Sequence, residues 1–424
     1  MRYISRLSVA CSRKRLIFRK PPWVTFATLL WQFFLAEGLK RDTVVYIKHL
    51  SFAASTVDAG VKTNTYLSWE IRNMKKQILA VAVAGAFAIP ALASAETSTT
   101  LYGQMHAGLT HWNYDNLDNE EDMTDQGRTR IGVRSSTDLG NGMNAFARFE
   151  WSASPHLGGS GLGRRQSHIG MDGDFGQIAI GSFHSVHKQH GGTGWDPLVT
   201  TELQARRTGG MAGGNFGTNS FVDKGIQYKS PQLGPVTLTA QTGFSDNNAP
   251  GRQGDGTDLQ MGDFALGAHV DLGAFELIAA YTKLDEPFST APNDDDVNWK
   301  VGGRWSDGPF SVAYQYEDIG ILSSGGGAAR IDHAMGVGNH MTVTDAHKHH
   351  YLVGTYSMGR NNFVLSFGHL DADSSDQDVT TVTGAVVHRL NSAFRVYAGL
   401  QHMDLDSNIG DDQIKVSAGA RFDF

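Results

Sequence analysis

Arginine is the residue type whose spacing here promises joint action. Arg128, Arg130 and Arg134 occupy even positions of a stretch whose odd positions carry Ile131 and Val133, so an extended backbone sends all three guanidiniums to one side. Arg148 and Arg165 fall on the corresponding sides of the stretches that follow. The work such groups do is electrostatic: across a narrow aqueous gap, fixed charges orient water and dipolar solutes, and low-dielectric walls strengthen their field. The plainer role is ion pairing with adjacent strands, Glu150 included.

Other groupings offer less. His184, His187 and His190 have helical spacing in a segment with little other helix signal, and His347 and His349, beside His350, share a strand face. Solvated or hydrogen-bonded histidines account for both sets without a metal. Asp294, Asp295 and Asp296, and the group Asp371, Asp373, Asp376 and Asp378, lack the spacing of a calcium hand and read as solvated acidic loops. Gly158-Gly159 and Gly325-Gly326-Gly327 have no strand-to-helix context, so they cradle no phosphate. Serine, histidine and aspartate are plentiful, but no Gly-x-Ser-x-Gly elbow joins them. The expectation is a protein without catalytic residues, metal or cofactor.

The elements that must hold these residues belong to a chain of 424 residues, 40% hydrophobic and 19% charged, with 50 glycines and one cysteine. Collagen-like, disordered and disulfide-stapled classes are excluded. Residues 1–73 carry 12 basic and 4 acidic side chains, whereas residues 96–424 carry 22 and 39. So acidic a main body argues against nucleic acid as a partner. Met74, Lys75 and Lys76 precede an apolar run over 78–88, then Pro90 and Ala91-Leu92-Ala93-Ser94-Ala95. A basic start, a short apolar centre and an Ala-x-Ala site make residues 74–95 a secretory signal, with Glu96 as the new N-terminus after cleavage. Residues 1–73 are expected to be upstream translation from a misassigned start; a genuine extension is the alternative, its apolar stretch at 23–36 being short for a membrane span.

Residues 96–424 alternate. Ile414, Val416, Ala418, Ala420, Phe422 and Phe424 interleave with Lys415, Ser417, Gly419, Arg421 and Asp423; Phe310, Val312, Tyr314 and Tyr316 oppose Ser311, Ala313, Gln315 and Glu317. Leu101, Met105 and Leu109 oppose Tyr102, Gln104 and His106, and Val297, Trp299, Val301 and Trp305 oppose Asn298, Lys300 and Arg304. Period two gives each strand one apolar and one polar face. About sixteen such strands follow one another, with short turns at 140–142, 172–175, 230–235, 271–274, 306–309, 359–362 and 390–393. Long polar connections at 113–125, 245–259, 285–296 and 320–345 lie between them. Segregated loop lengths and one-sided strands predict an all-β fold: a transmembrane antiparallel up-and-down β-barrel, with lipid outside and water inside. A soluble sandwich has no reason to sort its loops in this way.

Tyr102-Gly103-Gln104, Arg130-Ile131-Gly132-Val133 leading to Asp138-Leu139-Gly140-Asn141-Gly142, Arg165-Gln166-Ser167-His168-Ile169-Gly170 ahead of Phe175-Gly176, and the terminal Phe424 together resemble the general diffusion porins of Gram-negative outer membranes. The resemblance implies a sixteen-stranded barrel, a homotrimer in the cell outer membrane, and a terminal phenylalanine read by the outer-membrane assembly machinery. Lipid and lipopolysaccharide would surround it. It also implies that the 37-residue connection 184–220, with eight glycines, folds into the pore as its third loop. Arg130 and Arg165 would be the best wall residues, facing Asp196 and Glu202 of the loop.

Two departures stand out: Gln104 and His106 occupy the first strand where enteric members carry a lumenal lysine, and the loop brings its own Lys188, Arg206 and Arg207. The acidic excess of the outer loops gives a weak lean to cations, which salt would shrink. A passive channel for ions and small hydrophilic solutes is the expected function. The alternatives are a substrate-selective channel, which would want aromatics climbing the lumen, and an outer-membrane barrel enzyme. Trp299, Trp305, Tyr314, Tyr316, Phe422 and Phe424 would anchor the membrane interfaces, and Gly103, Ala107, Ala145 and Ala147 would let neighbouring barrels approach.

Overall fold

The computed structural model describes residues 97–424 except 116, 126–128, 159–160, 214–217, 244–262, 284–296, 321–328, 333–339, 344–345, 374–376 and 407–411. The expected signal at 74–95 and the segment before it lie outside the described residues. So do Arg128, Asp294 to Asp296, Asp376, Gly159, Gly325 to Gly327 and all of the connections at 245–259 and 285–296.

Extended backbone dominates, as the alternation requires. The strands are β1 (Thr97–Tyr114), β2 (Glu120–Thr124), β3 (Arg130–Gly140), β4 (Met143–Ser152), β5 (Gly163–Gly173), β6 (Gly176–His184) and β7 (Phe221–Lys229). Next come β8 (Val236–Gly243), β9 (Phe264–Asp271), β10 (Phe275–Lys283), β11 (Val297–Asp307), β12 (Phe310–Ile319), β13 (Ala329–Asp332) and β14 (His340–Val343). Last are β15 (His347–Met358), β16 (Asn361–Ala372), β17 (Val379–Arg389), β18 (Phe394–Leu405) and β19 (Gln413–Asp423). Sequential antiparallel pairing runs round to β19, which closes on β1 from Gln104↔Asp423 to Tyr114↔Gln413. Gly103 and Phe424 exchange backbone hydrogen bonds of 2.8 and 3.0 Å at this seam. Closure removes every free edge, the condition for backbone in hydrocarbon.

Sixteen staves make the wall, β2 and β3 being two pieces of the second. Between Gly108↔Thr124 and Gln104↔Arg130 that stave takes six steps while β1 takes four, an even excess that keeps its faces in phase. Arg130 opens β3. The hairpin β13–β14 stands apart from the wall within the 320–345 connection. The first long connection is shorter than the polar composition predicts, because β1 runs on to Tyr114 and β2 starts at Glu120. Short turns sit at all seven expected places, and Asn141-Gly142 takes the positive φ angles, 54° and 75°, of a two-residue hairpin.

Burial is inverted relative to a soluble protein. Leu365 is 65% exposed and Leu109 62%, while Lys415, Gln315 and Glu317 are 0% exposed. The apolar face meets lipid and the polar face lines the interior. Trp299 packs on Tyr316 at 5.2 Å and Phe422 on Phe424 at 6.1 Å, both on the outward face.

Candidate functional site

Three neighbouring strands assemble the arginines. Arg134 of β3 lies opposite Arg148 of β4, and Gly132 lies opposite Glu150. A register shift between β4 and β5 beyond Phe149 puts both Arg165 and Gln166 on the buried side, at 5% and 7% exposure. Glu150, its side chain fully buried, then gathers three guanidiniums: Arg165 Nε at 2.6 Å, Arg148 Nη2 at 3.0 Å and Arg130 Nε at 3.8 Å. Tyr102 of β1 donates its hydroxyl to Glu150 at 3.0 Å and accepts from Arg148 Nε at 2.7 Å. Arg134 and Arg148 also lie over the Tyr102 ring, 5.6 and 5.3 Å from its centroid. One carboxylate balances one of the three charges.

They face a cavity of about 820 Å³. Seven of its lining residues are basic: Arg130, Arg134, Arg148, Arg165, Lys188, Lys229 and Arg421. Among the described residues that line it, none is acidic, and Gln166, Gln177, Gln189 and Gln227 supply neutral polar groups. Arg165 and Lys188 both lie over the Phe221 ring, 5.1 and 4.5 Å from its centroid. Strand parity already places Arg421 and Lys229 on polar faces; their joining this wall comes from closure of the ring.

Residues 185–220 connect β6 to β7. They begin with a one-turn helix, α1 (Val186–Gln189), capped by Ser185, whose hydroxyl accepts from Lys188 N–H at 3.1 Å. Trp195, Leu198, Leu203, Ala205 and Met211 then pack against Ile278, Ala313, Tyr351, Val353, Val364, Val387 and Tyr397. All of those wall residues lie on the face that elsewhere is polar. Polar contacts add to this: His349 Nδ1 lies 2.6 Å from the Gly209 carbonyl, Thr381 donates to the Thr208 carbonyl, and Gln401 donates to the Leu203 carbonyl at 3.2 Å. A Cβ on Gly368 would stand 2.6 Å from Gly210 Cα, so glycine alone allows this approach.

Asp196 and Glu202 are not among the residues that line this cavity. Asp196 accepts from Leu198 N–H at 2.8 Å, Ala205 N–H at 2.9 Å and the Tyr351 hydroxyl at 3.3 Å. Glu202 accepts from the Thr124 hydroxyl. Both are buried and neither lines the cavity; Asp196 is taken up by orphan amides of its own coiled segment, and Glu202 by a hydroxyl of β2.

The histidines are occupied structurally. His187 Nε2 lies 3.2 Å from Glu317, His190 Nδ1 lies 2.9 Å from the Val186 carbonyl, and His350 pairs with the Tyr314 hydroxyl at 2.8 Å. Burial lowers the pKa of His187, and that of His190 to about 4, so both are neutral near pH 7. Among the described residues, no three His, Cys, Asp or Glu side chains are grouped to hold a metal ion.

Comparison with known proteins agrees with this architecture. The family model for the Gram-negative porin matches residues 80–408. The major outer membrane protein P.IB of Neisseria meningitidis serogroup B is 24% identical over 374 residues, 83% of this chain and 89% of that protein. Its Neisseria lactamica counterpart is 25% identical over 289 residues, 58% and 80% of the two chains. Among solved structures, the anion-selective porin from Comamonas acidovorans superposes with a TM-score of 0.61 at 18% identity, covering 78% of this chain and all of that one. Salmonella typhi OmpF superposes with a TM-score of 0.55 at 13% identity, covering 77% and 97%. With a closed ring of sixteen staves, apolar without and polar within, and a family match along nearly all of it, this chain belongs to the Gram-negative porin family, whose members are channels of the outer membrane rather than enzymes.

Proposed function

We propose that the protein passes ions and small hydrophilic solutes passively, sorting them where the 185–220 loop folds inward toward the arginine wall. The observation that supports this reading is the cavity, with seven basic side chains in its lining, three of them gathered on the buried Glu150 and Arg421 paired with Asp423. Fixed charge of one sign beside a low-dielectric wall concentrates the opposite ion. Arg130, Arg134, Arg148 and Arg165 supply that wall, and Arg128 is proposed with them from the sequence alone. Asp196 and Glu202 shape the loop in this reading instead of opposing the arginines across the gap.

Small anions are favoured at such a constriction. The second reading, a weak cation lean, rests on the 39 acidic residues against 22 basic ones from residue 96 onward, many of them in the outer connections. Reversal potentials across a salt gradient decide between the two, together with single-channel conductance in planar bilayers. Anion preference that persists from low to high salt supports the wall. Cation preference at low salt that fades as salt rises supports the mouth. Loss of conductance in correctly folded protein would overturn both. Export by residues 74–95, from a start codon at Met74, belongs to the same proposal. So do recognition of Phe424 by the assembly machinery, a homotrimer packed on its small outward residues, and lipopolysaccharide against its aromatic girdle.

A further inference from the structure

Glu317 lies on the inward face of β12, half a turn round the ring from β4 and its Glu150. Its carboxylate meets both ends of the loop. His187, near the outgoing end, places Nε2 3.2 Å from Oε2; at the returning end, the Ala212 N–H donates to Oε2 at 2.9 Å and Asn219 Nδ2 to Oε1 at 3.2 Å. The wall steadies it from behind: Gln315 Nε2 donates to Oε1 at 2.7 Å, and the fully buried Lys300 ammonium lies 3.9 Å away. Gln315 in turn accepts from the Gly192 N–H at 2.9 Å.

We propose that Glu317 is the positioning residue of this channel: one carboxylate ties the outgoing and returning arms of the loop to the wall, and thereby sets the width and steadiness of the pore. The proposal rests on the reading that the loop narrows the channel. A carboxylate suits the position because its two oxygens accept at about four sites, while every neighbour offers a donor. An amide of the same shape would turn N–H groups toward the N–H groups of Ala212 or Asn219. Tying both arms at one point also keeps the segment between them from swinging as a unit. The contacts of Gly209, Thr208 and Leu203 then fix only its middle.

The test is single-channel recording on the purified full chain in planar bilayers. Glu317→Gln is expected to raise the open-channel current and at least double its fluctuations. That variant leaves Lys300 buried without a counter-charge, so Glu317→Gln/Lys300→Met, which removes both charges, is recorded alongside as the version that spares the wall. The exchange Glu317→Gln/Asn219→Asp moves the carboxylate onto the loop, keeps one bond across the gap and keeps a partner for Lys300. It is expected to return current and fluctuations toward wild type, which a merely structural defect would not do. Wild-type current and noise in both Glu317→Gln variants, or noise that the exchange leaves unchanged, would overturn the proposal. Deleting residues 192–207 separates the two levels. If the deletion widens the current while the Glu317 variants do not, the tie fails and the constriction stands. If the deletion changes nothing, the constriction itself fails.

Discussion

Two carboxylates on opposite sides of one barrel carry out different work. Glu150 collects three guanidiniums and leaves them in excess beside an 820 Å³ cavity. Glu317 is matched to Lys300, His187 and Asn219, does not line that cavity, and is wholly buried between loop and wall. Both sit on inward faces set by the same period-two rule. What separates them is cover: Glu317 is closed in between the wall and both arms of the loop, whereas the arginines around Glu150 border open space that they share with loop residues such as Lys188 and Thr193. In the proposed reading the arginine wall is the filter and the Glu317 wall the mount.

Breaking the filter's hinge should cost the most. Glu150→Ala strands three cations against one another and is expected to destabilise the barrel by about 3–5 kcal/mol, read from urea unfolding in lipid vesicles. A loss under about 1 kcal/mol would mean that the guanidiniums do not depend on Glu150. On the mount side, Leu203→Ala removes a buried side chain from the loop's apolar seat and should cost about 2–5 kcal/mol in the same assay, with protease cleavage inside 185–220 as the local readout. Tyr102→Phe takes one donor from Glu150 and one acceptor from Arg148; about 1–3 kcal/mol is expected, along with noisier current.

The smallest effect is pH on the mount. His190 titrates near 4 when docked, against 6.5 when released. Its contribution is complete above about pH 6.5 and is lost as the pH falls toward 4, since the released loop then binds the extra proton. Lys300, Lys229 and His269 on the facing walls add to the effect by disfavouring a charged ring. Cleavage of the loop should therefore quicken between pH 6.5 and 4, and a flat profile would remove His190 from the account.

The staves were legible because lipid outside and water inside impose alternation on every strand, and the loop ends at 184 and 221 showed as the limits of that pattern. Arg130, Arg134 and Arg148 follow from parity alone. Arg165 needs the register shift beside Phe149, which parity cannot reveal. The surroundings of Asp196 and Glu202 were not legible: Asp196 accepts from amides of its own segment and Glu202 from Thr124, and coil has no period to predict such partners. Two signals were available and unused. Val353, Val364 and Val387 put apolar residues on polar faces, marking where something must cover the wall, and Ser185 ahead of Val186 was a local N-cap. Glu317 looks like any other inward polar residue until the loop is in place.

The measurement closest to the centre of this account is the reversal potential of purified channels in a tenfold salt gradient, with and without Arg130→Gln/Arg148→Gln/Arg165→Gln. Wild type should favour anions, and the triple variant should lose that preference by roughly threefold or more in permeability ratio. An identical reversal potential in the two proteins would show that the arginine wall does not choose what crosses.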